Sequence, residues 1–155
     1  MFYTDLSVPD TARGRFELIA LHVALVLHRL QADGAETAEL ARVLGETFVV
    51  DMDDNMREMS FSDLAVPREI KKAAAALFDR HTLVGSAGAA PAAGETDLFA
   101  TRLSEALAYL ARENDGIAID AGGLARYVRD AAAALAAQPL AGLLETGPQW
   151  PAPSR

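Results

Sequence analysis

The chain has 155 residues, a formal net charge of −8, 51% apolar and 23% charged residues. This length is typical of one domain, and the composition is too apolar for a disordered chain. The acidic balance disfavours nucleic acid as the main ligand, and the absence of cysteine excludes disulfides, thiolate nucleophiles and cysteine-ligated metal centres.

The first ten residues are predicted to form an extended arm, because Pro9 biases the residue before it away from the helical region. They contain neither a basic n-region nor an apolar h-region, so no signal peptide is expected. Asp10 or Thr11 is the predicted N-cap of the first helix.

The first predicted helix covers residues 12–31, and its middle is apolar on nearly every side. Such a helix is usually central in its fold. Its most apolar stretch, 18–30, is too short to span a bilayer and contains two histidines and an arginine. Gly34 is expected to end the helix in a left-handed conformation.

Two further helices are predicted over residues 36–59 and 67–81, with Pro67 in the first turn of the latter. Apolar side chains recur at helical spacing in both. The stripe of the second helix consists of Leu40, Leu44, Phe48, Met52 and Met56, and the third helix carries Ile70, Ala74, Leu77 and Phe78 on one side.

The second half of the chain begins with a flexible linker rich in Ala, Gly and Pro, residues 84–95. Helices follow over 97–113, capped by Thr96 or Asp97, and over 121–138, capped by Asp120. No segment has a clean period of two. The fold class is therefore all-α: a single-domain bundle of about five helices, residues 1–146, with a mobile Pro-rich tail, 147–155. The linker is expected to divide the bundle into two lobes, of three helices and of two, that share one core.

Common enzyme signatures are absent, so no catalytic residue is assigned. The most informative cluster is acidic: Asp51, Asp54 and Glu58 share one face of the second helix. This face overlaps the arc of Leu40 and Leu44, which predicts that the carboxylates point inwards. Buried carboxylates need partners, and three remain open: internal cations, a groove that takes a basic segment of another protein, or a divalent cation. The candidate internal cations are His22, Arg29, Arg13 and Arg15.

Two other sets of residues are candidates for partner binding. Arg68, Lys71 and Lys72 occupy the first two turns of the third helix, where cations oppose the helix dipole. They form either a solvated face or a contact with an anionic surface. Methionines at helical spacing line either the core or an adaptable apolar surface; these are Met52, Met56 and Met59.

Two stretches together resemble a known family. They are FYTDLSVPDTARGRFELIALHVALVLHRL (2–30) and DMDDNMREMSFSDLAVPREIKK (51–72), separated by a characteristic length. An arm ending in VPDT comes first, then a helix with GRFE and a closing RL, and then DMD with REM. This order resembles the ubiquinol–cytochrome c chaperone family in its alphaproteobacterial form. Family members often carry a longer basic N-terminal segment before this arm.

The resemblance implies a non-catalytic, cofactor-free assembly chaperone that binds and stabilises newly made cytochrome b during biogenesis of the cytochrome bc complex. It also implies a small partner protein, and a cytoplasmic location with peripheral contact to the inner membrane or the ribosome. On this hypothesis the partner-binding residues are the acidic cluster, the three methionines and the three basic residues. The alternatives are a general α-helical interaction or regulatory module, and a divalent-cation-binding protein that uses the acidic cluster.

Overall fold

The computed structural model describes residues 2–58 and 66–153, without the side chains of 53–58, 66, 67 and 69. In these ranges the chain is helical and contains no β-strand, which confirms the all-α class. The α-helices are α1 (Phe2–Asp5), α2 (Ala12–Ala32), α3 (Ala38–Glu58), α4 (Val66–Gly85), α5 (Leu98–Leu107), α6 (Ala121–Ala137) and α7 (Leu140–Thr146), with 3₁₀ helices at Gly34–Thr37 and Ala108–Glu113.

The described part of the chain thus has seven α-helices where about five were predicted. The five long segments are correct, although the fourth changes from α to 3₁₀ geometry after residue 107. The two extra helices are short. α1 lies inside the segment predicted to be extended, and α7 begins directly after Pro139, which ends the helix before it.

Contacts divide the chain into two compact units, Met1–Ile19 with Leu83–Arg155, and Ala20–Thr82. The predicted division at the linker is therefore incomplete. The N-terminal arm and the first turns of α2 belong with the C-terminal helices, because the arm makes hydrogen bonds to that part of the chain.

Backbone carbonyls of the arm accept hydrogen bonds from residues far along the chain. The Leu6 carbonyl accepts from the Asp120 N–H at 2.9 Å, and the Asn114 amide nitrogen donates to the Ser7 carbonyl at 3.1 Å. Leu6 and Val8 are buried. The arm is thus a packed element of the first unit.

Residues that follow the arm fix the start of α2. The Thr11 hydroxyl accepts from the Gly14 N–H at 3.2 Å, as an N-cap does, and donates to Glu113 at 2.8 Å. Glu17 is buried, and its carboxylate accepts from the Tyr109 hydroxyl at 2.5 Å. Much of the VPDT and GRFE motif therefore has a structural role.

In the same unit α5 packs against α6, and both helices begin at predicted caps. The Asp97 carboxylate accepts from the N–H groups of Phe99 and Ala100, both at 3.1 Å. Asp120 accepts from the Gly123 N–H at 2.9 Å. The predicted apolar stripes are buried as expected at Phe99, Leu103 and Leu107 on α5 and at Leu124, Val128, Ala131 and Leu135 on α6.

Arg129 joins α6 to both ends of the linker. Its guanidinium donates twice to Asp97, at 2.8 Å each, and once to the Ala87 carbonyl at 3.2 Å. It also lies 5.2 Å from the centre of the Phe99 ring. These hydrogen bonds lower the pKa of Asp97 from 3.8 to about 2, since they stabilise its ionised form.

The second unit, Ala20–Thr82, is built on the apolar part of α2. Leu21, Ala24 and Leu25 are almost fully buried there, as the sequence predicted. Phe78 of α4 was predicted on the same apolar side as Leu77, but its side chain is 70% exposed, whereas Leu77 is buried.

The C-terminal tail forms hydrogen bonds to the end of α6, and its predicted mobility stays a prediction. The Gln138 side chain donates to the Gln149 carbonyl and accepts from the Gln149 N–H, both at 2.9 Å. This pair attaches residue 149 to the end of α6. None of the helices in the described ranges has the length and apolar content needed to cross a bilayer.

Candidate functional site

The predicted acidic cluster lies on the second half of α3. Asp51 is exposed and Met52 is half-buried, so the inward orientation predicted for the cluster is wrong at Asp51. The side chains of Asp54, Met56 and Glu58 fall outside the described ones, and Met59 lies outside the described residues. Their contribution to partner binding stays a prediction.

The arginines considered as internal partners of this cluster bind other carboxylates. Arg13 pairs with Glu113 at 3.0 Å, Arg15 with Asp10 at 2.7 Å, and Arg29 with Asp33, four residues ahead, at 2.5 Å. His22 is half-buried and makes contacts of its own. Among the described side chains, no group of three carboxylate or imidazole groups is arranged to hold a metal ion.

Between residues 36 and 51 the charged side chains are all exposed. They are four carboxylates, Glu36, Glu39, Glu46 and Asp51, and one guanidinium, Arg42. Arg42 lies between two of them and donates to Glu39 at 2.6 Å and to Glu46 at 2.5 Å. These bonds raise the pKa of Arg42, and the Arg42 bond lowers the pKa of Glu39. We call this exposed side of Glu36–Asp51 the acidic face.

The three predicted basic residues lie on the outer side of α4. Arg68, Lys71 and Lys72 are all exposed, and Phe78 follows two turns after Lys71. Residues seven apart lie on the same side of a helix. We call this side, from Arg68 to Phe78, the basic face; it presents cations first and then an exposed aromatic ring.

A cavity of about 550 Å³ opens in the Ala20–Thr82 unit, where α2 ends and α3 begins. Its lining consists of Leu27, Gln31, Gly34, Ala35, Ala38, Ala41, Arg42 and His81. The turn that shapes it depends on Gly34, whose φ of 74° is the left-handed conformation predicted for it. The buried Thr37 hydroxyl donates to the carbonyls of Leu30 and Gly34 and so fixes the same turn.

His81 is the polar group of this cavity that lacks a partner. Its Nε2 atom is buried and has no hydrogen-bond partner among the described groups, and its ring lies 6.5 Å from the ring of His28. Burial and then the neighbouring His28 lower the pKa of His81. The imidazole is therefore neutral at physiological pH, with one donor and one acceptor nitrogen.

Few features of the sequence indicate this cavity. His81 comes four residues after the buried Leu77 and three before the buried Val84, so it lies on the inner side of α4. Four small residues within eight positions, from Gly34 to Ala41, allow an open space. Neither pattern is specific on its own, because both occur in ordinary helix packing.

Comparison with known proteins defines the class. The sequence profile of the ubiquinol-cytochrome C chaperone family matches residues 4–150. A crystal structure of the Cbp3 homolog from Brucella abortus is similar in fold, with a TM-score of 0.69 and 30% sequence identity, over 97% of this chain and 80% of that one. No curated protein matches the sequence.

The chain belongs to the ubiquinol–cytochrome c chaperone family. Its class is therefore that of the non-catalytic assembly chaperones of respiratory complex III. The resemblance found in the arm and the DMD segment is confirmed.

Proposed function

We propose that this protein binds newly made cytochrome b and stabilises it until the cytochrome bc complex is assembled. The observation that carries the proposal is the family match, which extends over nearly the whole chain. The physical reason for such a chaperone is that an apolar client must be kept from water until its neighbours are present.

The acidic face supports this proposal by its charge. Cytoplasmic loops of membrane proteins carry an excess of Lys and Arg, and exposed carboxylates complement them. We assign Asp51, Asp54 and Glu58 to the basic flank of the client, and Met52, Met56 and Met59 to its apolar part, since methionine adapts to varied apolar partners.

The test is recovery of cytochrome b with the affinity-tagged chain after crosslinking in cells that make it. The wild-type chain should recover cytochrome b. Reversing the charge at Asp51, Asp54 and Glu58 to Lys should lower the recovery at least threefold. A control with the same change in charge, the triple variant Glu105→Lys, Asp130→Lys and Glu145→Lys, changes exposed residues of the other unit and should retain it.

Two outcomes would contradict the proposal. Cytochrome b that is never recovered with the wild-type chain would refute the client. Normal levels of the cytochrome bc complex in a deletion strain would favour a general interaction module instead. Equal recovery with both charge variants would refute only the assignment of the acidic residues.

We further propose that the basic face rests against anionic lipid at the cytoplasmic side of the inner membrane, where a small partner protein or the ribosome is also within reach. Arg68, Lys71 and Lys72 supply the charge and Phe78 an apolar group that can enter the interface. A basic residue near an anionic surface contributes about 1 kcal/mol. Sedimentation with phosphatidylglycerol vesicles should fall when the three residues are changed to Glu, and phosphatidylcholine vesicles should bind neither form. Unchanged sedimentation would refute the lipid contact.

A further inference from the structure

We propose that the cavity beside His81 receives the end of an apolar client helix, with the basic residues that flank this helix lying on the acidic face. This inference rests on the proposed function and identifies the part of the client that docks. It depends on two observations: the shape of the cavity and the charge around its opening.

The cavity has the size and lining for a helix end. Its volume of about 550 Å³ is within the range of roughly 300–1,000 Å³ that is usual for binding cavities. Ala38 and Ala41 of its lining have short side chains, and small residues let the backbone of a second helix approach closely. Leu27 supplies apolar contact.

His81 contributes to the lining of the cavity, but its Nε2 atom, which has no partner in the described part of the chain, is buried and does not lie on the cavity surface. A client in the cavity is therefore held by apolar contact and by the charge at the opening.

The charge around the cavity selects the client. The acidic face begins at Glu36 beside the cavity lining, and Arg42, which belongs to both, is already bound by Glu39 and Glu46. An anionic lipid or a nucleic-acid phosphate would be repelled there. The Lys and Arg residues that flank membrane-spanning helices on the cytoplasmic side would be attracted.

Filling the cavity tests this inference in the full-length chain. Ala38 lies in the cavity lining and is exposed, so Ala38→Trp can occupy the space without entering the core. Ala133→Trp on α6 is the matched control, since Ala133 is also exposed and lies in the other unit. We expect Ala38→Trp to recover at least fivefold less cytochrome b than the wild type, and Ala133→Trp to recover the same amount.

A second measurement does not depend on the folding of the tryptophan variant. A photo-crosslinking amino acid at Gln31, an exposed residue of the lining, should form an adduct with cytochrome b, and the same group at Ala133 should not.

The outcomes separate this inference from the proposed function. If the wild type and Ala38→Trp recover equal amounts of cytochrome b and no adduct forms at Gln31, the docking site is refuted. The proposal that cytochrome b is the client would then still stand. A tryptophan variant that changes only the oligomeric mass of the chaperone would assign the cavity to a second copy of this chain. Failure of the wild type to recover cytochrome b would instead refute the function itself.

Discussion

The ion pair between Arg129 and Asp97 allows the most quantitative prediction. We consider Arg129→Met, which keeps most of the apolar stem and removes the guanidinium. The change deletes two charge-assisted hydrogen bonds to Asp97 and one to the Ala87 carbonyl. It also leaves the Asp97 carboxylate, which is 24% exposed, without its cation.

The expected loss follows from burial and geometry. Removing one partner of a fully buried ion pair costs about 3–5 kcal/mol. This pair retains part of its surface in water, with side-chain exposures of 12% and 24%, so we expect a loss of about 2–3 kcal/mol in the free energy of unfolding. For a chain of this length that corresponds to a decrease in Tm of about 5–10 °C.

The pH dependence identifies the source of this loss. The pKa of Asp97 is about 2 in the folded protein, below its ordinary value of 3.8. The stabilisation is therefore present above pH 3.8 and is lost as the pH falls through about 2, below which Asp97 is protonated in both states. The difference in Tm between the wild type and Arg129→Met should accordingly shrink between pH 5 and pH 2.

Thermal melts followed by circular dichroism measure both quantities. Arg126→Met is the matched control, because Arg126 is an exposed residue of the same helix; it should change the free energy of unfolding by less than about 0.5 kcal/mol. Equal Tm values for Arg129→Met and the control at pH 7 would refute the stabilising role of the ion pair, and so would a difference in Tm that does not depend on pH.

The remaining predictions concern two separate glycines, Gly14 and Gly45, and the unpartnered histidine, His81. A Cβ at Gly14 would lie 1.9 Å from the Pro9 carbonyl oxygen, so Gly14→Ala should lower the free energy of unfolding by about 2–3 kcal/mol. Gly45 has open space around it, so Gly45→Ala should raise the free energy of unfolding by up to about 1 kcal/mol. Similar urea midpoints for the two variants would refute this prediction. His81→Phe should raise the Tm at pH 7, because it removes a buried nitrogen without a partner. The lowered pKa of His81 means that wild-type stability falls as the pH drops below 6.5, and this fall should be smaller in His81→Phe; identical pH profiles would contradict the reasoning.

Local sequence signals predicted the long helices well. Asp97 and Asp120 cap their helices as expected, because an N-cap depends on residues only two or three positions away. The short helices α1 and α7 were missed for the opposite reason. A helix of four or seven residues is not stable by itself, and its existence depends on contacts with distant residues.

The site was harder to predict because a helical pattern does not fix which side of a helix is buried. On α3 the stripe through Leu40 and Leu44 suggested that Asp51 points inwards, but Phe48 is the buried residue, and both Thr47 and Asp51 are exposed. On α4 the apolar pattern likewise put Phe78 on the same side as the buried Leu77, although Phe78 is exposed. The cavity needs three separate segments to meet, and no pattern within one segment reports that.

The exposure of the acidic face also bears on how a chaperone of this kind releases its client. Exposed ion pairs contribute about 0.2–1 kcal/mol each and are screened by salt. In the docking proposed above, the exposed carboxylates of this face would therefore select and orient a basic segment without holding it tightly. On the same proposal, the larger share of the affinity would come from apolar contact in the cavity, and this contact would be lost when the client helix moves into the bilayer. A client held in this way would stay bound as long as water is the alternative environment for its apolar end, and would leave when the membrane offers a better solvent.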